Sequence, residues 1–157
     1  NKPTEDRFTI CKTTELPQNL SISERYLLYF DKKYNLQKVV MISKDITDDI
    51  YGSEGKETYK DLKSKLTAKY GPPTSSYEST GVKLWDESDE FYQCLAYSGC
   101  GLYMSLFEPK SGEVIVLELK GLARGKGYIS IVYDGPSWSN AIDAYKNAES
   151  KSDADAL

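Results

Sequence analysis

The chain has 157 residues, 39 % of them apolar and 28 % charged, with a formal net charge of −4. This length is typical of one domain with its own hydrophobic core. The acidic balance argues against general nucleic-acid binding, and no apolar run is long enough for a transmembrane helix. The sequence contains no histidine, which excludes Ser-His-Asp, Cys-His and HExxH catalysis, and it contains 13 tyrosines.

The N-terminal third of the chain has the pattern of strands. Residues 1–7 are polar, and Phe8–Cys11 has the composition of a short strand. Ser23–Phe30 and Leu36–Ile42 are rich in aromatic and aliphatic residues and are separated by a polar, turn-like link. We therefore predict that these two segments form a hairpin.

One helix stands out in the middle of the sequence. Lys56–Tyr70 repeats its apolar residues at helical spacing, at Tyr59, Leu62, Leu66 and Tyr70. The other face of this helix carries charged side chains, including Lys60, Asp61, Lys63 and Lys65. Gly71 and Pro72 follow the last of these positions, which is typical of a helix end.

The remainder of the chain is mainly strand-like, with one further helix. The predicted strands are Val82–Trp85, Glu90–Tyr97, Gly101–Phe107, Val114–Lys120 and Gly127–Tyr133. The predicted second helix is Trp138–Glu149. Strands that follow one another, rather than alternating with helices, indicate an α+β fold. We expect a mostly antiparallel sheet of about six or seven strands with two helices packed on one face.

We predict a single domain over residues 1–157, with a core from about residue 8 to residue 149. The polar residues at 1–7 and 150–157 are predicted to be flexible ends. The chain opens on Asn1 rather than on Met, so we expect that a leader has been removed.

The three cysteines, Cys11, Cys94 and Cys100, allow three single pairings. A Cys94–Cys100 bridge would close a short connection, whereas Cys11 could reach either of the others from a distant strand. Three reduced thiols in a cytosolic protein are the alternative. Disulfides persist in oxidising compartments, so we expect one bridge, with Cys94 and Cys100 as the candidate pair, in a periplasmic or secreted protein.

Two acidic segments resemble metal or catalytic sites, but their spacing argues against both. In Asp45–Gly55, Ile50 stands where a calcium loop needs glycine, and the next residue after the segment, Lys56, stands where the loop needs glutamate. Asp86–Glu90 has four acids in five positions, and neighbouring loop residues rarely converge on one ligand or bond. We expect a connecting loop and a solvated turn, with no bound metal or cofactor.

The segment Gly121–Gly127 combines three glycines with Arg124 and Lys126. A phosphate-binding loop would need different spacing and a following helix, so we expect a hairpin. Its cations are either solvated or form a basic finger that contacts an acidic partner. The tyrosines, Tyr103 and Tyr128 among them, either pack the sheet or form an exposed patch for a protein or sugar.

Two stretches of the chain resemble exported bacterial proteins. Ser98-Gly99-Cys100-Gly101-Leu102-Tyr103 is similar to the Ser-Gly-x-x-Tyr loop of the periplasmic lysozyme inhibitors, with one additional residue. The run from Leu66 to Pro72, with Trp85 downstream, looks like the layout of small exported domains, many of them lipoproteins. The resemblance implies an envelope location and an inhibitor or immunity-type role, with Ser98 and Tyr103 as contacts.

The sequence therefore predicts a non-catalytic binding module with another protein as its partner, as a monomer or weak dimer. The residues expected at that contact are Ser98, Tyr103, Arg124, Lys126 and Tyr128. A glycan-binding module with Tyr and Trp platforms is the first alternative. A carboxylate-based hydrolase that uses Glu87 or Glu90 is the second.

Overall fold

The computed structural model describes residues 8–82 and 84–156. Its helices are α1 (Ser53–Tyr70), α2 (Phe91–Ala96) and α3 (Trp138–Ala156). Its strands are β1 (Phe8–Thr13), β2 (Ser23–Asp31), β3 (Asn35–Ser43), β4 (Ser75–Ser79), β5 (Leu102–Phe107), β6 (Val114–Ala123) and β7 (Lys126–Asp134).

Within the described residues, the strands form one seven-stranded sheet in the order β1-β2-β3-β7-β6-β5-β4. Every neighbouring pair is antiparallel. The predicted α+β fold with a mostly antiparallel sheet is confirmed. The strands β1 and β4 lie at the two edges of the sheet, and each is paired on one side only.

One face of the sheet carries the hydrophobic core. Met41, Ile131 and Leu117 lie opposite one another on β3, β7 and β6, and all three are almost fully buried. Side chains alternate between the two faces of a strand, so the neighbours of these three residues along each strand point to the opposite face of the sheet. Val40 and Val132 are such residues, and they are only half-buried.

Helices α1 and α2 cover the core face. Tyr59, Leu62 and Leu66 form the buried side of α1, which packs against β6 and β7. Helix α2 packs against β6, and Phe91 and Tyr92 join the same core cluster. The helical spacing of apolar residues in α1 thus identifies its buried side correctly.

Two glycines allow α2 to approach the sheet closely. A Cβ atom on Gly121 would lie 1.9 Å from the carbonyl oxygen of Tyr92. A Cβ atom on Gly127 would lie 2.3 Å from Cε1 of the Tyr92 ring. Neither position has room for a side chain, so both glycines are needed for this packing.

Helix α3 lies on the opposite face of the sheet. The ring of Trp138 contacts that of Tyr29, with centroids 6.0 Å apart, and Lys38 Nζ lies 4.4 Å from a Trp138 ring centroid. Tyr29 and Lys38 alternate with Leu28 and Val39, which pack against the core cluster. Two helices do share one face, but they are α1 and α2, not α1 and α3.

The predicted strand Glu90–Tyr97 is wrong, because this segment contains α2. A short 3-10 turn at Ser88–Glu90 precedes the helix. It is closed by a capping box in which the side chains of Glu87 and Glu90 each accept from the other residue's backbone N–H. The reciprocal caps start a helical turn in a segment whose aromatic composition favours a strand.

Three further segments differ from the prediction. In Val82–Trp85, the described residues 82, 84 and 85 are not in a strand, and Trp85 has a φ of 59°. Strand β4 is not predicted, because three of its five residues are serines and it has no apolar alternation. Helix α3 extends to Ala156 instead of ending at Glu149. Residues 1–7, predicted to be flexible, lie outside the described part of the chain.

Candidate functional site

A groove of about 670 Å³ runs between α1 and the edge of the sheet formed by β4 and β5. Its α1 side presents Lys56, Lys60 and Lys63. These residues are spaced by four and three positions, which places their side chains on one face of a helix. Glu78 of β4 and Tyr103 of β5 line the opposite side. The groove therefore has three cations against one carboxylate.

The three lysines differ in how they are held. Lys63 forms an ion pair with Glu78 that joins α1 to β4. The ammonium of Lys56 lies 4.2 Å from the ring centroid of Phe91 and donates to the carbonyl oxygen of Tyr51. Lys60 is exposed, and within the described residues its ammonium has no hydrogen-bond or ion-pair partner. Lys60 is thus the cation most available to an anionic ligand.

A hydrogen-bonded row of hydroxyl groups joins α1 to the sheet below the groove. The hydroxyl of Tyr59 and Oγ of Ser105 are 2.6 Å apart, and Ser105 Oγ is 3.0 Å from Ser76 Oγ of β4. Burial raises the pKa of Tyr59 to about 12, although the hydrogen bond to Ser105 opposes this shift. Tyr59 therefore remains a neutral hydroxyl in the physiological range.

Tyr103 belongs to an aromatic cluster at one end of the groove. Its ring meets those of Tyr59 and Phe91 edge to face, with centroids 5.7 Å and 5.3 Å apart. Burial, followed by the nearby charge of Glu78, raises the pKa of Tyr103. Tyr103 thus combines a structural role with partial exposure to the groove.

The predicted contact residues do not converge on one surface. Tyr103 lies on the core face of the sheet, whereas Tyr128 is opposite Lys120 on the other face. Ser98 is exposed in the turn after α2. Of the two ends of the inhibitor-like segment, only Ser98 lies on an exposed turn, because Tyr103 belongs to β5.

The two cations of the β6–β7 turn are both paired. Arg124 Nη2 lies 2.6 Å from Asp89 Oδ2, and Lys126 Nζ lies 3.0 Å from Asp45 Oδ2. Each pair joins the turn to a neighbouring loop. This hairpin is the structure predicted for Gly121–Gly127, and its charges bind groups of the same chain.

The acidic segments have structural partners too. Glu87 and Glu90 cap the 3-10 turn, and Asp89 pairs with Arg124. In the calcium-loop-like segment, Asp49 accepts a hydrogen bond from the backbone N–H of Gly55, at the start of α1. Across residues 8–82 and 84–156, no group of three acidic or thiol side chains is arranged to hold a metal ion.

The predicted disulfide is confirmed. Cys94 at the end of α2 is bonded to Cys100, and their Cα atoms are 5.1 Å apart. Both residues are fully buried, whereas Cys11 is a free, exposed cysteine in β1. None of the helices in the described ranges is both long enough and apolar enough to cross a membrane.

Sequence reasoning missed most of this groove. The charged face of α1 was visible as Lys60 and Lys63, but Glu78 lies in a strand that was not predicted. Comparison of the chain with protein-family models, curated proteins and solved structures finds no match.

Proposed function

We propose that this protein is a non-catalytic, periplasmic or secreted binding module that recognises another protein through an acidic segment. The observation that supports this most strongly is the groove of Lys56, Lys60 and Lys63 beside the free edge of β4. The chain as a whole has a net charge of −4, so these three lysines form a positively charged group on a protein whose net charge is negative. Complementary charge speeds encounter and selects partners.

A protein partner fits the groove better than a neutral glycan, because the aromatic rings that line the groove are already packed. Sugar platforms need an open aromatic face, but Tyr103 packs against Tyr59 and Phe91. The ring of Trp138 is flanked by Tyr29 and by the ammonium of Lys38. An acidic glycan would satisfy the lysines equally well, so it forms a separate arm of the test.

The chemistry of the groove supports binding rather than turnover. Its carboxylate, Glu78, is held by Lys63, and its buried hydroxyl, Tyr59, stays protonated and bonded to Ser105. A general base needs a free lone pair within reach of a substrate and a pKa near the working pH. The buried Cys94–Cys100 bridge supports a location outside the cytosol, because disulfides persist in oxidising compartments. An inhibitor or immunity-type role would be one use of such a module.

Calorimetric titration with poly-L-glutamate tests this proposal. Wild-type protein is expected to bind at about 0.01 M salt and to weaken at about 0.15 M, because the contact is electrostatic. Lys60→Glu should weaken binding about tenfold. The new carboxylate lies beside Lys56 and Lys63 at helical spacing, so the variant should keep α1 stable.

Lys65→Glu is the matched control, because Lys65 lies in the same helix but pairs with Asp61 outside the groove. We expect this variant to bind poly-L-glutamate within about twofold of wild type. Equal losses in both variants would contradict a role for the groove. Binding to polygalacturonate but not to poly-L-glutamate would instead support the glycan alternative.

A further inference from the structure

We infer that the acidic partner segment binds as an extended strand, which pairs with the free edge of β4 and places alternate acidic side chains towards Lys60 and Lys63. This inference rests on the proposed function and specifies how the groove is filled. It makes the partner segment an eighth strand of the sheet. Strand addition to an exposed edge is a general mode of peptide recognition, in which backbone hydrogen bonds supply much of the affinity.

Strand β4 is short and carries one charge, Glu78, but it lacks other devices that protect a sheet edge. It pairs with β5 through five residues without a register shift, and the four residues Ser76–Ser79 are exposed. It contains no proline, no lysine and no bulge. Edge strands that avoid pairing normally carry such features. The other edge strand, β1, does carry a lysine, Lys12.

The two faces of β4 define the sequence that an added strand would need. Ser76 and Glu78 are opposite Ser105 and Tyr103, so they lie on the face that α1 covers. Tyr77 points to the other face and is 53 % exposed. Alternate residues of an added strand follow the same two faces. Acidic residues on one face and apolar residues beside Tyr77 on the other would therefore match this edge.

The charges of the edge also favour an acidic strand. Glu78 is the one charged residue of β4, and its carboxylate would repel an acidic neighbour. Lys63 neutralises that carboxylate, while Lys60 keeps its charge unpaired among the described residues. A carboxylate that arrives on the α1 side thus meets a free ammonium first. The unpaired edge of β4 and the free ammonium of Lys60 on one side of it together favour an acidic added strand.

The test uses an alternating Glu-Val peptide of about nine residues as the probe. Two versions carry N-methyl groups, one on all the glutamates and the other on all the valines. In an extended strand, alternate N–H groups point to the same edge, so each version blocks one edge of the peptide. Strand addition predicts that one version binds at least about tenfold more weakly than the other.

Equal affinity of the two methylated peptides would overturn strand addition. If the unmethylated peptide still loses affinity in Lys60→Glu, the proposed acidic groove stands and only the binding mode fails. If that peptide binds Lys60→Glu as well as it binds wild type, the proposed function fails with it.

Tyr77→Ser provides a second readout on the opposite face. It should weaken the alternating peptide about threefold, because one cross-strand contact with a valine is lost. The substitution is at an exposed position between Ser76 and Glu78, so it tests the contact without emptying the core. An unchanged affinity for the alternating peptide would contradict the predicted register of the added strand.

Discussion

The hydroxyl of Tyr92 in α2 donates a hydrogen bond to Asp49 in the loop before α1, with 2.8 Å between the two oxygens. The same carboxylate oxygen of Asp49 accepts from the backbone N–H of Gly55 at 2.9 Å. One acidic side chain therefore ties the two helices of the core face together. A negative charge at this position also interacts favourably with the N-terminus of α1.

Because Asp49 is ionised in this contact, the free energy of unfolding should depend on pH. Burial alone would raise the pKa of Asp49, but hydrogen bonds from Gly55 and Tyr92 outweigh it and hold the pKa below its ordinary value. The carboxylate therefore stabilises the fold above its unfolded-state pKa of about 3.9, and this contribution disappears as the pH falls through the lower folded-state value. Asp49→Asn should be less stable than wild type at neutral pH, and the difference should shrink as the pH falls below that unfolded-state value.

Urea unfolding at a series of pH values measures this difference. Asp48→Asn is the control, because Asp48 is an exposed neighbour of Asp49. Its backbone is in the left-handed region, which asparagine tolerates. A gap between wild type and Asp49→Asn that stayed constant over the acidic range would contradict the assigned role of this carboxylate.

The packing of α2 on the sheet predicts a large effect of adding one methyl group. Gly121→Ala places a Cβ 1.9 Å from the carbonyl oxygen of Tyr92, so the helix must move, and we expect a loss of about 3 kcal/mol of unfolding free energy. Gly71→Ala is the comparison, because it has a φ of 88° but no atom within 4 Å of the new Cβ. Its cost should be about 2 kcal/mol, from backbone strain alone, because a φ of 88° with a ψ of 179° suits glycine. Similar costs in denaturant unfolding would argue against close packing at Gly121.

The disulfide predicts a simple thiol count. Without reductant, the native protein should expose one reactive thiol, that of Cys11, to a thiol reagent. Replacing both bridge cysteines, in Cys94→Ser/Cys100→Ser, should lower the unfolding free energy by about 2 kcal/mol, because a short loop is no longer closed. Cys11→Ser should change stability by less than about 0.5 kcal/mol. Three reactive thiols in the native protein would contradict the bridge.

The β6–β7 turn separates two accounts of the binding surface. From the sequence, Arg124 and Lys126 are predicted to contact the partner; in the structure they pair with Asp89 and Asp45. The groove account predicts that Arg124→Glu/Lys126→Glu binds the alternating Glu-Val peptide as wild type does. The exposed ion pairs contribute little, so stability should fall by no more than about 1 kcal/mol per pair. A large loss of peptide affinity, measured by calorimetry, would show that the peptide binds at the β6–β7 turn.

The sequence predicts the sheet well where strands are apolar, and poorly where tertiary contacts decide. The apolar strands around Met41 and Ile131, and the apolar face of α1, follow from local patterns. Helix α2 does not, because its aromatic residues favour a strand, whereas the capping box before it and the packing of Tyr92 on the sheet favour a helix.

The groove was beyond prediction for a related reason. The lysine face of α1 is readable, yet nothing local shows that Glu78 lies across from Lys63. Strand β4 is short and built from serines with Tyr77 and Glu78, so it lacks an apolar alternation. Its pairing with β5 comes from the sheet, and the site depends on that pairing.

Amide chemical-shift mapping of the isotopically labelled protein with the alternating Glu-Val peptide tests the central claim most directly. The account predicts that the largest shifts follow the lysine face of α1 at Lys60 and Lys63 and the edge strand at Tyr77 and Glu78, and that Lys60→Glu removes them. Shifts centred on Arg124 in the β6–β7 turn, or no shifts at peptide concentrations that saturate a weak site, would contradict it.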